Sequence, residues 1–194
     1  ETGRTYPLGE VSAHLIGYVQ NITAEELEAK RGKGYTSTSV IGKAGLEKKY
    51  EKRLKGKDGV EIYIEDSDGK RKKDIAKIDV QNGETIKLTI DSTMQSKLYN
   101  ELKNDAGFFV VMHPNTGALL ALVSTPSYNP NDFTLGLSTE KWNSIKNNEN
   151  KPMLTRYLQS YCPGSTFKAV TGAVGLTTGK LSTSDIFSYS GLSW

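Results

Sequence analysis

Three serines in this chain are followed three residues later by a lysine: Ser67 with Lys70, Ser138 with Lys141, and Ser165 with Lys168. The chemistry open to such a pair is acyl transfer. A serine hydroxyl is a weak nucleophile until a neighbouring base takes its proton. A lysine becomes that base when burial or nearby charge lowers its pKa. On a helix, residues i and i+3 share a face, with Cβ atoms about 5–6 Å apart, so the spacing brings the amine within reach of the hydroxyl. Spacing alone does not choose among three copies; context must.

Ser67 lies in Asp66-Ser67-Asp68-Gly69, a turn signal, and its lysine is expected to point into water. Ser138 opens a polar helix around Trp142 and reads as an N-cap. Ser165 differs. Pro163-Gly164 sets a sharp turn ahead of it, and Phe167, Ala169, Val170, Ala173, Val174 and Leu176 follow. This predicts a helix from Ser165 to about Leu176, apolar nearly all round and therefore buried. Its first turn would place positive dipole near an emerging alkoxide. The competing reading is a capped helix with a snorkelling lysine. Gly172, Gly175 and Gly179 lower helix propensity and point to close packing. Cys162, the single cysteine, cannot form an internal disulfide. It has no histidine suggested nearby and reads as a packed small residue. His14 and His113 lie far apart without ligand spacing, so neither a metal nor a cofactor is expected.

The elements that would position this serine are legible in part. His14 to Val19 is a strand candidate. Thr23 followed by Glu26 is a capping box opening a helix to about Lys30, ended by Gly32 and Gly34. Leu46, Tyr50 and Leu54 share one face of a helix over 46–54. Val60–Ile64, Ile75–Ile78 and Ile86–Ile90 read as strands. Asp91 or Ser92 caps a helix to about Lys103. Phe108–Met112 and Ala118–Val123 flank the turn His113-Pro114-Asn115-Thr116-Gly117. Strands so continuously apolar suit a sheet covered on both faces. The expected class is α+β.

The 194 residues suffice for one domain or two small ones. Net charge is +3, from 25 basic and 22 acidic residues, with Lys and Glu interspersed as on a solvated surface. No nucleic-acid tract is read from this balance; a weak attraction to an anionic polymer is compatible with it. No apolar run is long enough to cross a bilayer and no signal peptide is visible. The chain begins at Glu1 rather than Met, which reads as a piece of something longer.

Pro163-Gly164-Ser165-Thr166-Phe167-Lys168 resembles the active-serine motif of class B penicillin-binding proteins, a family that uses Ser-x-x-Lys as its nucleophile motif. Leu88-Thr89-Ile90-Asp91 with Gln95 resembles the start of that family's transpeptidase domain. His113 to Leu122 resembles the hairpin after it, and Pro126-Ser127-Tyr128-Asn129-Pro130-Asn131 the next loop. Upstream, Arg4-Thr5-Tyr6-Pro7, His14 to Val19, and Gly45-Leu46-Glu47-Lys48-Lys49-Tyr50 resemble the pedestal segment. The pattern is close to the low-affinity, methicillin-resistance type of Gram-positive bacteria.

The resemblance implies a partial pedestal or linker domain over residues 1–84. It implies the first part of a serine transpeptidase/β-lactamase-like domain over 85–194. The implied catalytic residues are Ser165 as acyl-accepting nucleophile and Lys168 as its proton-transfer partner. The implied activity is D,D-transpeptidation of peptidoglycan, on stem peptides ending in D-Ala-D-Ala, with β-lactams trapping Ser165. The implied location is the extracytoplasmic face of the bacterial membrane, with an anchor outside this chain and cell-wall synthesis proteins as partners; no nucleic acid is implied. The rival functions are a β-lactam sensor or β-lactamase, against which residues 1–60 argue, and a non-catalytic wall-binding module. The family's later motifs, Ser-x-Asn and Lys-Thr-Gly, do not follow Ser165. Ser184-Asp185-Ile186 lacks the asparagine, and Thr177-Thr178-Gly179-Lys180 has the wrong order. Loss of one oxyanion donor alone costs about 100- to 1,000-fold in rate. The 194-residue chain alone is therefore expected to be inactive, to label poorly with penicillin, and to self-associate through a bared sheet edge. Mass spectrometry after incubation with penicillin and light scattering over a concentration series check this; a stoichiometric Ser165 adduct on a strict monomer would overturn it.

Overall fold

The structure, a computed structural model, describes residues 3–188 and mixes helices with antiparallel strands, as the α+β expectation required. The described residues fall into two compact units, divided between Leu158 and Gln159.

The first unit opens with a 3-10 turn at Gly9–Val11, α1 (Ala13–Ile16) and β1 (Val19–Asn21). The strand expected over His14–Val19 is thus a helix turn that gives way to a strand only at Val19. Gly17 is the reason. Its φ is +79°, and a Cβ there would sit 2.0 Å from the Ala44 carbonyl oxygen, a conformation and an approach that only glycine tolerates. The capping box forms as expected at α2 (Ala24–Ala29). Glu26 N–H donates to Thr23 Oγ1 at 3.3 Å and Thr23 N–H to Glu26 Oε2 at 2.8 Å. β2 (Val40–Gly42) pairs antiparallel with β1.

The helix expected over 46–54 is two, α3 (Gly45–Lys49) and α4 (Glu51–Leu54), broken at Tyr50. Glu51 explains the break. Its carboxylate accepts from Gly42 N–H at 2.7 Å and from Tyr35 O–H at 3.3 Å, so the chain turns to aim it. The hairpin of β3 (Val60–Glu65) and β4 (Arg71–Ile78) turns at the Asp66–Gly69 cluster and is exposed along both strands. Ile86–Ile90 forms no strand and bends at Thr89, whose O–H donates to the Leu119 carbonyl at 2.6 Å.

Asp91 caps α5 (Ser92–Leu102) by accepting from Thr93 and Met94 N–H. β5 (Gly107–Met112) and β6 (Leu119–Thr125) form the expected hairpin as an isolated two-stranded sheet. Coverage of both faces is not found. α5 packs on β6, whose Ala121, Val123 and Thr125 are fully buried, whereas Phe108, Phe109, Val110 and Met112 of β5 are exposed. α6 (Pro130–Leu135) and α7 (Thr139–Lys146) follow. Ala13, Tyr128 and Phe133 centre the core, with Tyr18 stacked on Phe133 at 4.0 Å between ring centroids.

Residues 6–14 are stitched to residues 95–131 through backbone groups. Gln95, 1% exposed, donates from Nε2 to the carbonyls of Val11 (2.9 Å) and Leu122 (2.6 Å), and its Oε1 accepts from Leu122 N–H at 2.8 Å. Asn131 pairs both backbone groups of Tyr6 in the same way, at 2.9 and 3.0 Å. Ser127 O–H donates to Glu10 O, and Tyr128 O–H to Ala13 O. His14 is buried, with Nε2 3.3 Å from the Pro126 carbonyl and Nδ1 3.2 Å from Thr155 Oγ1. Burial lowers its pKa, and the Arg156 charge adds to this; the carbonyls of Pro126 and Pro152 oppose it.

Two outcomes follow from these contacts. Gln95→Leu leaves three buried backbone groups without partners, and urea unfolding should show a loss of about 3 kcal/mol; a loss within error of zero would contradict the assignment. His14 is held neutral in the folded chain, while the unfolded chain binds the proton near the ordinary value of 6.5. Its contribution is therefore full above about pH 6.5 and is lost as pH falls toward the folded pKa. Between pH 7 and 5 the chain should lose more stability than its His14→Gln variant; parallel curves would refute this.

Candidate functional site

Ser165 lies in the second unit, at the centre of a 3-10 turn, Gly164–Thr166, that runs directly into α8 (Phe167–Thr177). Pro163 precedes it in the right-handed helical region, as proline's fixed φ favours. Gly164 has φ +55°, in the left-handed region where side-chain-bearing residues are strained. The Pro-Gly pair is therefore what the turn demands. Thr166 and Phe167 are both right-handed helical, so Ser165 and Lys168 stand one turn apart. Residues three apart on a helix are neighbours on its surface, and Ser165 and Lys168 have that spacing across the junction of the turn and α8.

Thr166 escaped sequence reasoning. Its hydroxyl donates to the Pro163 carbonyl and closes the turn around the serine. The signal available was a hydroxyl three residues after a proline, which is common in turns.

Two expectations fail here. Ser165, Lys168 and the apolar residues of α8 are exposed, not buried; Phe167, Val170, Val174 and Leu176 are each about half exposed. An apolar surface on every side lets no orientation of the helix bury it all against short flanking segments. Only Gly175 shows the close packing expected of the glycines: Leu181 Cδ1 lies 2.4 Å from where a Cβ would stand. Cys162 is exposed as well, not packed, and is free of any disulfide, because the turn at Pro163 carries it off the helix.

The other two serine–lysine pairs fall as context required. Ser67 sits in the exposed turn between β3 and β4 with Lys70 exposed. Ser138 Oγ accepts from Lys141 N–H at 3.2 Å as the cap of α7, and Lys141 Nζ pairs with Asp132 at 2.7 Å. Ser184 and Asp185 belong to a polar turn in which Ser182 N–H donates to Asp185 Oδ2 at 2.8 Å. No group of acidic, cysteine and histidine side chains able to hold a metal occurs among the described residues, and none of their helices is long and apolar enough to cross a membrane.

Comparison with known proteins agrees with this layout. Residues 1–88 match the penicillin-binding protein dimerisation domain, and residues 107–194 the penicillin-binding protein transpeptidase domain. The chain is 43% identical over 193 residues to penicillin-binding protein 3 of Bacillus subtilis, covering 100% of this chain and 28% of that protein. It is 36% identical over 181 residues to the peptidoglycan D,D-transpeptidase MrdA of Escherichia coli, covering 91% and 29%. Among solved structures it resembles PBP2 of Helicobacter pylori in complex with MreC, with TM-score 0.84, 28% identity, and 94% and 34% coverage. It also resembles Pseudomonas aeruginosa PBP2 in complex with WCK 5153, with TM-score 0.79, 34% identity, and 95% and 37% coverage. The chain thus spans less than a third of the length of these curated relatives.

Proposed function

The chain belongs to the class B penicillin-binding proteins, and we propose from that premise that it carries the nucleophile turn of a peptidoglycan D,D-transpeptidase. The observation that bears the proposal is the turn Pro163–Lys168. Gly164 at φ +55° starts a 3-10 turn with Ser165 at its centre, and Lys168 stands one turn on in α8.

In the whole protein, Lys168 Nζ takes the hydroxyl proton as Ser165 Oγ attacks the amide carbonyl between the two D-alanines. The tetrahedral adduct expels the terminal D-alanine, whose amine receives the proton, and leaves an ester on Ser165. An amine from a second stem peptide then attacks that ester, forming the cross-link and restoring the hydroxyl. A β-lactam enters by the same first step, its ring amide opening onto Ser165. The match of residues 1–88 to the dimerisation domain supports this reading over a free-standing β-lactamase or sensor.

We place the boundary between the pedestal and transpeptidase domains after residue 84, with 85–194 in the second; the dimerisation match runs four residues past it, to 88, and the transpeptidase match begins at 107. The low-affinity, methicillin-resistance subtype stays a proposal resting on the sequence pattern, since the relatives reported are a penicillin-binding protein 3 and MrdA. An extracytoplasmic, membrane-anchored location and partners in the cell-wall machinery are proposed likewise; the H. pylori complex, in which PBP2 binds MreC, supports the latter.

In the full-length protein, Ser165→Ala should abolish covalent labelling by a fluorescent penicillin, while Ser67→Ala and Ser138→Ala leave it unchanged. Label retained on the Ser165 variant would refute the assignment. Lys168→Arg should slow acylation by at least about 100-fold with the fold intact, because a guanidinium cannot act as a base at neutral pH; near-normal acylation would remove Lys168 from the mechanism.

A further inference from the structure

The charge of the chain is unevenly placed. Residues 30–57, bounded by Glu28 and Asp58, hold ten lysines and arginines against Glu47 and Glu51, a net +8; the remaining residues total −5. The structure offsets part of this charge and leaves the rest in solvent. Glu47 is buried and taken by Arg4, with Nε 2.9 Å from Oε1. Glu51 is taken by Gly42 N–H and Tyr35 O–H. Arg31, Lys43 and Arg53 pair with Glu28, Glu26 and Glu84. Lys33, Lys48, Lys49, Lys52 and Lys57 are exposed and have no carboxylate partner among the described residues.

Two further cations of the segment, Lys30 and Lys55, meet at one ring. Tyr35 lies between two ammonium groups, Lys55 Nζ 3.8 Å and Lys30 Nζ 5.1 Å from its ring centroid, and Lys55 also donates to the Gly34 carbonyl. The loop after α2 is thereby held against the end of α4. Along α3 and α4, Lys48 precedes Lys52 by four residues, as Lys49 precedes Arg53.

We propose that this face of the first unit binds a linear, base-free phosphodiester polymer. Closely spaced unpaired lysines complement closely spaced phosphates, and release of the polymer's counterions drives association. A membrane surface fits less well. Basic membrane-binding helices carry an apolar face to insert, and within 30–57 the sole large apolar side chain exposed among the described residues is Val40. Nucleic acid fits less well too, because stacking needs an open aromatic face and lysines occupy that of Tyr35.

Three probes separate these partners: an abasic oligodeoxynucleotide of about twelve phosphates, the same length with bases, and phosphatidylglycerol vesicles. The 194-residue chain should bind the abasic oligomer, with affinity falling steeply and log-linearly with salt. Combined Lys48→Gln, Lys49→Gln, Lys52→Gln and Lys57→Gln should weaken binding about 100-fold at low salt and flatten the salt slope by about three. The four corresponding Lys→Arg changes should preserve binding, which separates charge from folding. Lys72→Gln with Lys73→Gln on β4 should change nothing. No binding at low salt, equal loss from the β4 variant, or binding at least tenfold tighter to the base-bearing oligomer or the vesicles would overturn the proposal.

Discussion

Two carboxamide side chains, those of Gln95 and Asn131, do the work of a missing β-strand, and the first unit depends on them. A buried backbone N–H and C=O must each find a partner. Residues 6–14 run across the face of α5 and β6 where no strand lies beside them. A carboxamide presents one acceptor and two donors, enough to pair both backbone groups of one residue. Gln95 does this for Leu122 and spends its second donor on Val11 O. Asn131 does it for Tyr6. Each is aimed by a capped helix start. Asp91 caps α5, and Asn129 with Pro130 caps α6, Asn129 Oδ1 also accepting from Asn131 Nδ2. This is how residues matching two different domain families become one compact unit.

The serine turn is determined differently. Proline, a left-handed glycine, and a hydroxyl that closes back on the proline carbonyl all lie within four residues. Such a turn forms from local chemistry and needs no tertiary support. The helix behind it does need support, since apolar side chains on all sides are stabilised only when each side is covered. The local geometry of Ser165 and its burial are thus separate properties, set by separate parts of the molecule. A relative more than three times as long as this chain has material for the second that these residues do not contain.

Features set by neighbours within four residues were legible in the sequence: the capping box at Thr23, the caps at Asp91 and Ser138, the turn at Asp66–Gly69, the turn of the β5–β6 hairpin and the Pro-Gly turn. Features set by distant partners were not. His14–Val19 reads as a strand because short apolar runs look alike in helix and strand, and only the approach of Ala44 explains why Gly17 divides it. Leu46, Tyr50 and Leu54 fit one helix, yet Glu51 is drawn aside by Gly42, nine residues back. For Gln95 the family resemblance marked the position, but nothing in its surroundings announced a side chain buried among backbone groups.

The same distinction governs charge. Counted along the chain, acidic and basic residues nearly balance, and interspersed Lys and Glu read as an ordinary solvated surface. The count assumes that every charge faces water. Glu47 is buried and matched by Arg4, with Tyr6 as a second donor, whereas Glu51 keeps its charge beside Tyr35 while accepting from a backbone N–H and the tyrosine hydroxyl. The lysines between and beyond them have long stems that keep the ammonium in solvent. Folding therefore matches Arg31, Lys43 and Arg53 to carboxylates and leaves Lys33, Lys48, Lys49, Lys52 and Lys57 in solvent without one among the described residues. The field a partner meets is that of the sorted set, which screening confines to about 8–10 Å at physiological salt. At that range, neighbouring cations on α3, α4 and the loop at Tyr35 act together, and Glu26, Glu28 and Glu84, in contact with Lys43, Arg31 and Arg53, offset only part of them.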